Sequence, residues 1–564
     1  MNARLALSLT VFLAACTPEP AAPPAAEVPA VVAEAPAATP AAAPAGPHRF
    51  DTLGALHRPI SSKNPDAQAW FDQGLRMAYG FNHQAAGQAF AEAVKADPDC
   101  AICWWGQALV LGPNINVPMV PEAAAAAWDA AQRALALRDK ASPVEQMLID
   151  AVVARYAQTA PEDRAPLDRA YADAMKAAVE RFPDDADVQV MYAESLMDLM
   201  PWAYWTANGQ ASPETPALLT ALETALKLNP DHIGAIHYYI HATEASPDPK
   251  RAEPHADRLA ALAPGAGHLV HMPAHTYLRR GRYHDAVLIN LKATDADATF
   301  LSFCKGSNGV YPLGYVPHNW HFIVAAAGYE GNGAMTLRAA QQTAQRADMT
   351  MLETLTMMQQ FIVAPLMAQA RFGRWDEILA TQEPPAALPY PTAIWHFARG
   401  RAFAAKGDLD AARKELAAYE VAAADPRNET NVLWGINYAP AVLKVGGPFL
   451  AGEIAAAAGD HAAAIPLLTE AVAAEDALNY NEPADWLLPT RHSLGVVLLA
   501  AGKAAEAEAV YRKDLELHPH NGWALIGLSQ ALAAQGKTAE AAEAKARFDQ
   551  AWANADLKIE ASRI

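Results

Sequence analysis

The chain carries no cluster of Lys and Arg, and its formal charge is −19. A phosphate backbone is held by clustered cations, so a nucleic-acid partner is not expected. Runs of β-branched residues are scarce, which points away from sheets and towards a mostly helical body. Beyond the first residues no stretch reaches the ~20 apolar positions of a transmembrane helix. Glycine-rich phosphate loops, Gly-x-Ser-x-Gly elbows and His-Glu-x-x-His helices are also missing, so no nucleotide-binding, serine-hydrolase or zincin signature applies. What the chain has in abundance is alanine. Its hydrophobic residues recur every three or four positions between Gly and Pro punctuation, the pattern of packed helices.

The N-terminus is expected to set the compartment. Met1 to Arg4 make a short basic start, Leu5 to Leu13 an apolar run, and Leu13-Ala14-Ala15-Cys16 ends it with small residues. This is the layout of a secretory signal over 1–15. It resembles the lipobox of bacterial lipoproteins, which implies a diacylglyceryl anchor on Cys16. Thr17 stands where an aspartate would suggest inner-membrane retention, so the expected location is the outer membrane of a Gram-negative bacterium, facing the periplasm. The alternative is a plain secretory signal in which Cys16 is incidental. Residues 16–48 are almost only Ala, Pro, Glu and Val, a composition that builds no core and reads as an extended tether. The rest of the chain is far longer than the ~250–300 residues at which one core stops growing. Several domains or a repeat array are required.

Internal repetition favours the array. Leu494, Gly495, Leu498, Ala507, Tyr511 and Pro519 fall where a tetratricopeptide (TPR) unit has its packing residues, and one ~34-residue period later Leu528, Leu532, Gly536 and Ala541 repeat them. Trp70, Gly74, Met77, Ala86, Phe90, Ala93 and Pro98 fit the same template. Turn signals recur at Gly281, Gly373, Gly407 and Gly459. The expected fold is therefore all-α, a right-handed TPR-type superhelix over 49–556 with a short tail, 557–564. One helical hairpin cannot bury its apolar face, so hairpins stack. In the TPR family the first helix of each unit lines a concave groove, with positions two, five, nine and twelve facing into it.

The candidate chemistry lies in the His-rich units, about 231–345. His237, His241 and Glu244 take positions five, nine and twelve of a unit that begins near Ile233. His268, His271 and His275 take two, five and nine of the next, and His318 and His321 two and five of a third. Neighbouring helices pack ~8–10 Å apart, so their rings can converge. Neutral imidazole is the commonest metal ligand and suits Zn, Cu, Fe or Ni. The expected ligands come from His237, His241, His271 and His275, completed by His318 or Glu244. With an open position such a site is catalytic, with Glu244 as general base; with four protein ligands it is structural or a store.

Two other readings stand beside the metal. With Tyr238, Tyr239 and Tyr277, the same residues form a polar groove for an anionic, small-molecule or peptide ligand, with His268 and His321 in its lining; or the imidazoles are packing. Pro273 is expected to disturb its helix. Tyr480, Glu482 and Arg491 read as the far wall of the groove, and Tyr192, Glu194 and the aromatic run 200–205 as a further wall or as core. Cys100 and Cys103 read as two small buried residues or a local disulfide rather than a redox motif, because no strand precedes them. Cys304 is left over as a fifth ligand candidate.

Arg58-Pro-Ile-Ser, Trp70-Phe-x-x-Gly-Leu, Cys103-Trp-Trp-Gly with Gly112-Pro-Asn-Ile-Asn, His237-Tyr-Tyr-x-His-x-x-Glu, His268-x-x-His-Met-Pro-x-His and His318-Asn-x-His-Phe together resemble a family of exported bacterial TPR proteins similar to eukaryotic tetratricopeptide repeat protein 38. The resemblance covers nearly everything after the tether. It implies the fold but no settled activity; as in most TPR arrays, a membrane-tethered scaffold whose groove binds a protein, peptide or small ligand is the expected role, with a metal-dependent enzyme as the alternative.

Overall fold

The computed structural model describes residues 47–304 and 309–564. The signal segment, Cys16, the tether up to residue 46 and the middle of the insertion near Lys305 lie outside the described residues. All described residues belong to one unit, Pro44–Ile564.

The architecture is all-α, a TPR-type stack of antiparallel helical hairpins. Pro65–Ala78 pairs with His83–Ala96, Pro389–Ala405 with Leu409–Ala423, Ala439–Ala457 with His461–Asp476, and Gly522–Ala534 with Thr538–Ala551. The template residues explain the pairing. A Cβ at Gly74 would lie 2.8 Å from the Phe90 ring, so only glycine allows the first two helices to close on their shared aromatic. Asn64 caps the first of them through the amides of Asp66 and Ala67, supplying an acceptor to otherwise orphaned donors. At Gly281 the chain turns with φ +70°, a conformation that glycine adopts without penalty.

Three departures from a regular array build the site. First, His268 and His271 lie on Gly267–His271 while His275 lies on Pro273–Arg280. In place of one helix there are two, broken at Met272, because Pro273 has no amide hydrogen to donate. Second, a two-stranded antiparallel hairpin, Val432–Leu433 with Asn437–Tyr438, interrupts the helices and carries Trp434 at its tip. Third, distant units fold back on the His-rich ones. Trp523 donates to the Gly328 carbonyl at 2.9 Å, Asp556 accepts from the amides of Gly333 and Ala334 at the start of a helix, and the Tyr480 hydroxyl reaches Glu244. The expected concave groove is closed over from its own C-terminal side. The largest apolar core runs from Leu53 to Val316 and takes in the helices of His237 and His268, a second runs from Val363 to Ala544, and a third, from Ala274 to Ala368, takes in those of His275 and His318.

Candidate metal centre

Every residue of Ile233–Glu244 is buried. His237 and His241 stand one turn apart on it, with Glu244 three residues on. The helix is seated by Gly234, where a Cβ would meet the Tyr79 ring at 2.5 Å. That contact brings the Tyr79 carbonyl to His237 Nδ1, which donates to it at 2.6 Å. The second element is fixed from its backbone. The His268 amide donates to the Tyr311 hydroxyl at 3.1 Å, Tyr311 donates to Asp297 Oδ1 at 2.8 Å, and Asn319 donates to Asp297 Oδ2 at 2.7 Å. Burial pushes the Asp297 carboxyl up to about 7.

The imidazoles are oriented one by one. His241 Nδ1 donates to Glu244 Oε1 at 2.7 Å and His275 Nδ1 to Glu244 Oε2 at 2.6 Å, so one carboxylate holds two rings. Burial raises the Glu244 carboxyl, but His275 and His241 bring it well below the usual carboxylate range, and it accepts from both rings as an anion. Tyr480 adds a third donor at 3.1 Å. His271 Nδ1 meets Asn290 Oδ1 at 2.7 Å, and the Asn290 amide nitrogen is taken by the Ala286 carbonyl at 2.8 Å; the oxygen must therefore face the ring and accept from it.

These bonds leave bare lone pairs on Nε2. His271 Nε2 lies 3.0 Å from His275 Nε2, and each ring has committed its Nδ1 hydrogen elsewhere. Burial, and then the neighbouring imidazoles, hold His237, His268, His271 and His318 well below the ordinary imidazole range. A proton on His271 Nε2 is therefore disfavoured. With both rings neutral and both Nδ1 hydrogens donated, two Nε2 lone pairs face each other and repel; a cation between them turns the repulsion into coordination. His237 Nε2 and His268 Nε2 are 3.2 Å apart. Here His268 can donate, at the cost of its buried Nδ1, which has no partner among the described residues, as has His241 Nε2. Nδ1 hydrogens donated to carboxylate or carbonyl, with Nε2 directed inward, is the arrangement that orients histidine ligands on a metal. Nitrogen sets within 4.8 Å of one another are His237, His241 and His268, and His271, His275 and His318; Glu244 forms a third with His241 and His275.

Aromatic residues close the centre at a backbone cost. Phe81, Trp202 and Trp434 have φ of 54°, 61° and 50°. Each packs on the cluster: Phe81 lies 4.4 Å from the His237 ring, Trp202 5.1 Å from His241 and Trp434 5.0 Å from His318, centroid to centroid. A bulky residue with positive φ costs of order 1–3 kcal/mol and is kept where surrounding structure imposes it.

A cavity of about 20 Å³ lies among His241, His268, His275, His318 and Glu482, enough for one or two water-sized ligands. Asn116, Trp202 and Trp434 line it and also line a chamber of about 550 Å³ whose walls mix apolar residues such as Ile115, Val117, Met119 and Leu167 with Glu162, Arg164, Asp168 and Asp198. Burial raises the Glu482 carboxyl to about 7, against the pull of Arg279.

Of the sequence candidates, His237, His241, Glu244, His268, His271, His275, His318, Tyr480 and Glu482 come together. His321 does not join them: it packs against Phe361, its ring nitrogens have no partner among the described residues, and burial lowers it to about 4. Arg491 is paired with Asp476 at 2.8 Å. Glu194 belongs to a buried ion cluster with Arg155, Tyr192 lies on the same Ala186–Asp198 helix and is partly exposed, and Cys304 enters none of the ligand sets. Cys100 and Cys103 form a disulfide. Phe81, Trp434, Asn290 and the Tyr79 carbonyl were not singled out from sequence. Only Trp434 had a signal, Val-Leu-Trp-Gly-Ile-Asn-Tyr, a hairpin pattern with glycine in a short loop.

No protein-family model matches the chain, and no curated protein does. Among solved structures, the Cut9–Hcn1 hetero-tetramer of the APC/C aligns over 83% of this chain and 76% of its own at 14% identity and a TM-score of 0.31. Human IFIT1, in a dimer with m7Gppp-AAAA, covers 87% and 90% at 13% identity and 0.31. Yeast Tom70 covers 85% and 90% at 12% identity and 0.29. Likenesses this distant say nothing about what this chain binds.

Proposed function

We propose that this chain is a metalloprotein that uses a TPR-type superhelix to bury a transition-metal centre of histidine imidazoles, and that the centre is catalytic. The observation that carries the reading is the His271–His275 contact, two Nε2 atoms 3.0 Å apart with each Nδ1 directed at an acceptor, Asn290 or Glu244. Zinc, copper, iron or nickel suits such a set. Structural metal sites are closed, whereas a catalytic one keeps a position for water or substrate; the cavity beside the imidazoles and the chamber behind Trp202 and Trp434 favour the second. A metal-bound water has a lowered pKa. Glu482, on the cavity wall and titrating near neutrality, is better suited to exchange that proton than Glu244, whose oxygens are held by two imidazoles and a tyrosine.

The scaffold class commonly serves protein binding on extended surfaces. A peptide or protein partner of this chain would use surface away from the histidines, which are buried. We further place the protein outside the cytoplasm, tethered through Cys16, a reading that the Cys100–Cys103 disulfide supports. Replacing Cys16 by Ser is expected to move the protein from the membrane to the soluble fraction; an unchanged distribution contradicts the anchor.

The test of the metal reading is elemental analysis of protein purified without a His tag, beside a His237→Ala/His271→Ala variant. At least one Zn, Cu, Fe or Ni per chain in the parent and little in the variant is the expected result. A parent that takes up none of the four, even after incubation with each, contradicts the proposal.

A further inference from the structure

We propose that the centre holds two ions, one in each of two histidine triads, joined through their ligands by Glu244. This rests on the metal reading above. His237, His241 and His268 make one set of converging nitrogens, and His271, His275 and His318 a second that shares no residue with it. The short contacts divide the same way. His237 and His268 approach at 3.2 Å in the first triad, His271 and His275 at 3.0 Å in the second. Two nitrogens bound at ~2.0–2.1 Å to one tetrahedral ion lie ~3.3–3.4 Å apart. Each contact therefore approximates the bite of one ion, and the two bites lie in different places.

The triads are neighbours. The His241 and His275 ring centroids are 5.2 Å apart, and those of His268 and His271 are 5.7 Å apart. Glu244 takes one hydrogen from each triad, His241 on Oε1 and His275 on Oε2, so it sets both ligand orientations at once. The cavity bounded by members of both triads would leave room for a small oxygen ligand beside the ions. Paired ions of this kind stabilise attacking and leaving oxygens together.

Zn(II) titration of the metal-free full chain, with ions counted after gel filtration, tests this beside His268→Gln and His318→Gln, each checked for helical content. Two ions in the parent and one in each variant are expected. One ion in the parent overturns the pair while leaving the metal reading intact; none, with Zn(II) and then with Cu(II), Fe(II) and Ni(II) in turn, overturns both. Should a variant fail to fold, X-ray absorption of the cobalt-loaded parent decides: a metal–metal scattering shell supports the pair, and its absence overturns it.

Discussion

Glu244 shows how one side chain organises several others. Its oxygens accept from His241, His275 and Tyr480, which fixes two tautomers. In Glu244→Gln the amide nitrogen cannot accept, so one ring must move its hydrogen to Nε2 and lose its lone pair. Chelator competition is expected to show a metal affinity ~10–100-fold weaker, the usual cost of losing such a partner, with the fold retained. Gly234→Ala acts one step further out. Its new methyl overlaps the Tyr79 ring, and the overpacking is expected to cost ~1–3 kcal/mol in urea unfolding and to loosen His237. At this scale the sequence was informative where spacing was the signal: His237, His241 and Glu244 share one helical face, and so, in part, do His268 and His271. It was silent on Tyr79 and Asn290, whose backbone or amide acceptors reach the rings only through tertiary packing.

The elements matter because two of them carry strain into the site. The hairpin around Trp434 and the turn at Trp202 hold their indoles against the cluster with positive φ. Trp434→Gly relieves the backbone and removes the wall. Chelators are expected to extract metal faster from this variant with its stoichiometry unchanged; an unaltered rate would show that Trp434 guards nothing. Behind Tyr79, Asp187 ties three elements together. It accepts from Arg58 at 3.0 Å, from the Tyr79 hydroxyl at 2.7 Å and from His232 at 3.1 Å. Burial raises its carboxyl, but His232, Arg58 and Tyr79 bring it well below the usual carboxylate range. A depressed carboxylate contributes stability that is present above its unfolded value and lost as pH falls through the folded one. Asp187→Asn is therefore expected to cost ~3 kcal/mol near neutral pH, as for a broken buried pair, with the gap to the parent closing in acid. The Pro273 break was legible because proline's missing donor is a local fact. The Trp434 hairpin left only a faint local signal, because its strands are two residues each.

The whole molecule turns a repeat array into a container. The TPR spacing predicted stacked hairpins from Trp70 to Ala541, and the hairpins are there. It predicted a concave groove with Tyr480 and Glu482 on its far wall, and the groove is closed over, because Tyr480, Trp434 and Trp523 bring distant units onto the His-rich ones. No local pattern reports that closure, since it depends on how small rotations add up along the stack. Beside Trp202 and Trp434 lies the chamber, whose apolar side, Ile115, Val117, Met119 and Leu167, would receive an alkyl tail on a metal-binding head. Each buried CH₂ contributes ~0.8 kcal/mol, so in the metal-loaded parent octanohydroxamate is expected to bind at least ~10-fold tighter than acetohydroxamate. Val117→Trp, which fills the chamber, should erase that advantage and leave acetohydroxamate unchanged. Equal affinities in the parent would mean that the chamber receives no tail.

The central claim is that histidine Nε2 atoms hold metal inside this superhelix. Anomalous diffraction from crystals of the metal-loaded protein, collected on either side of the metal's absorption edge, tests it most directly. The account predicts anomalous density ~2.0–2.1 Å from Nε2 of His271 and His275, with their Nδ1 atoms still bonded to Asn290 and Glu244. Density confined to surface carboxylates, or none at the buried histidines, would contradict it.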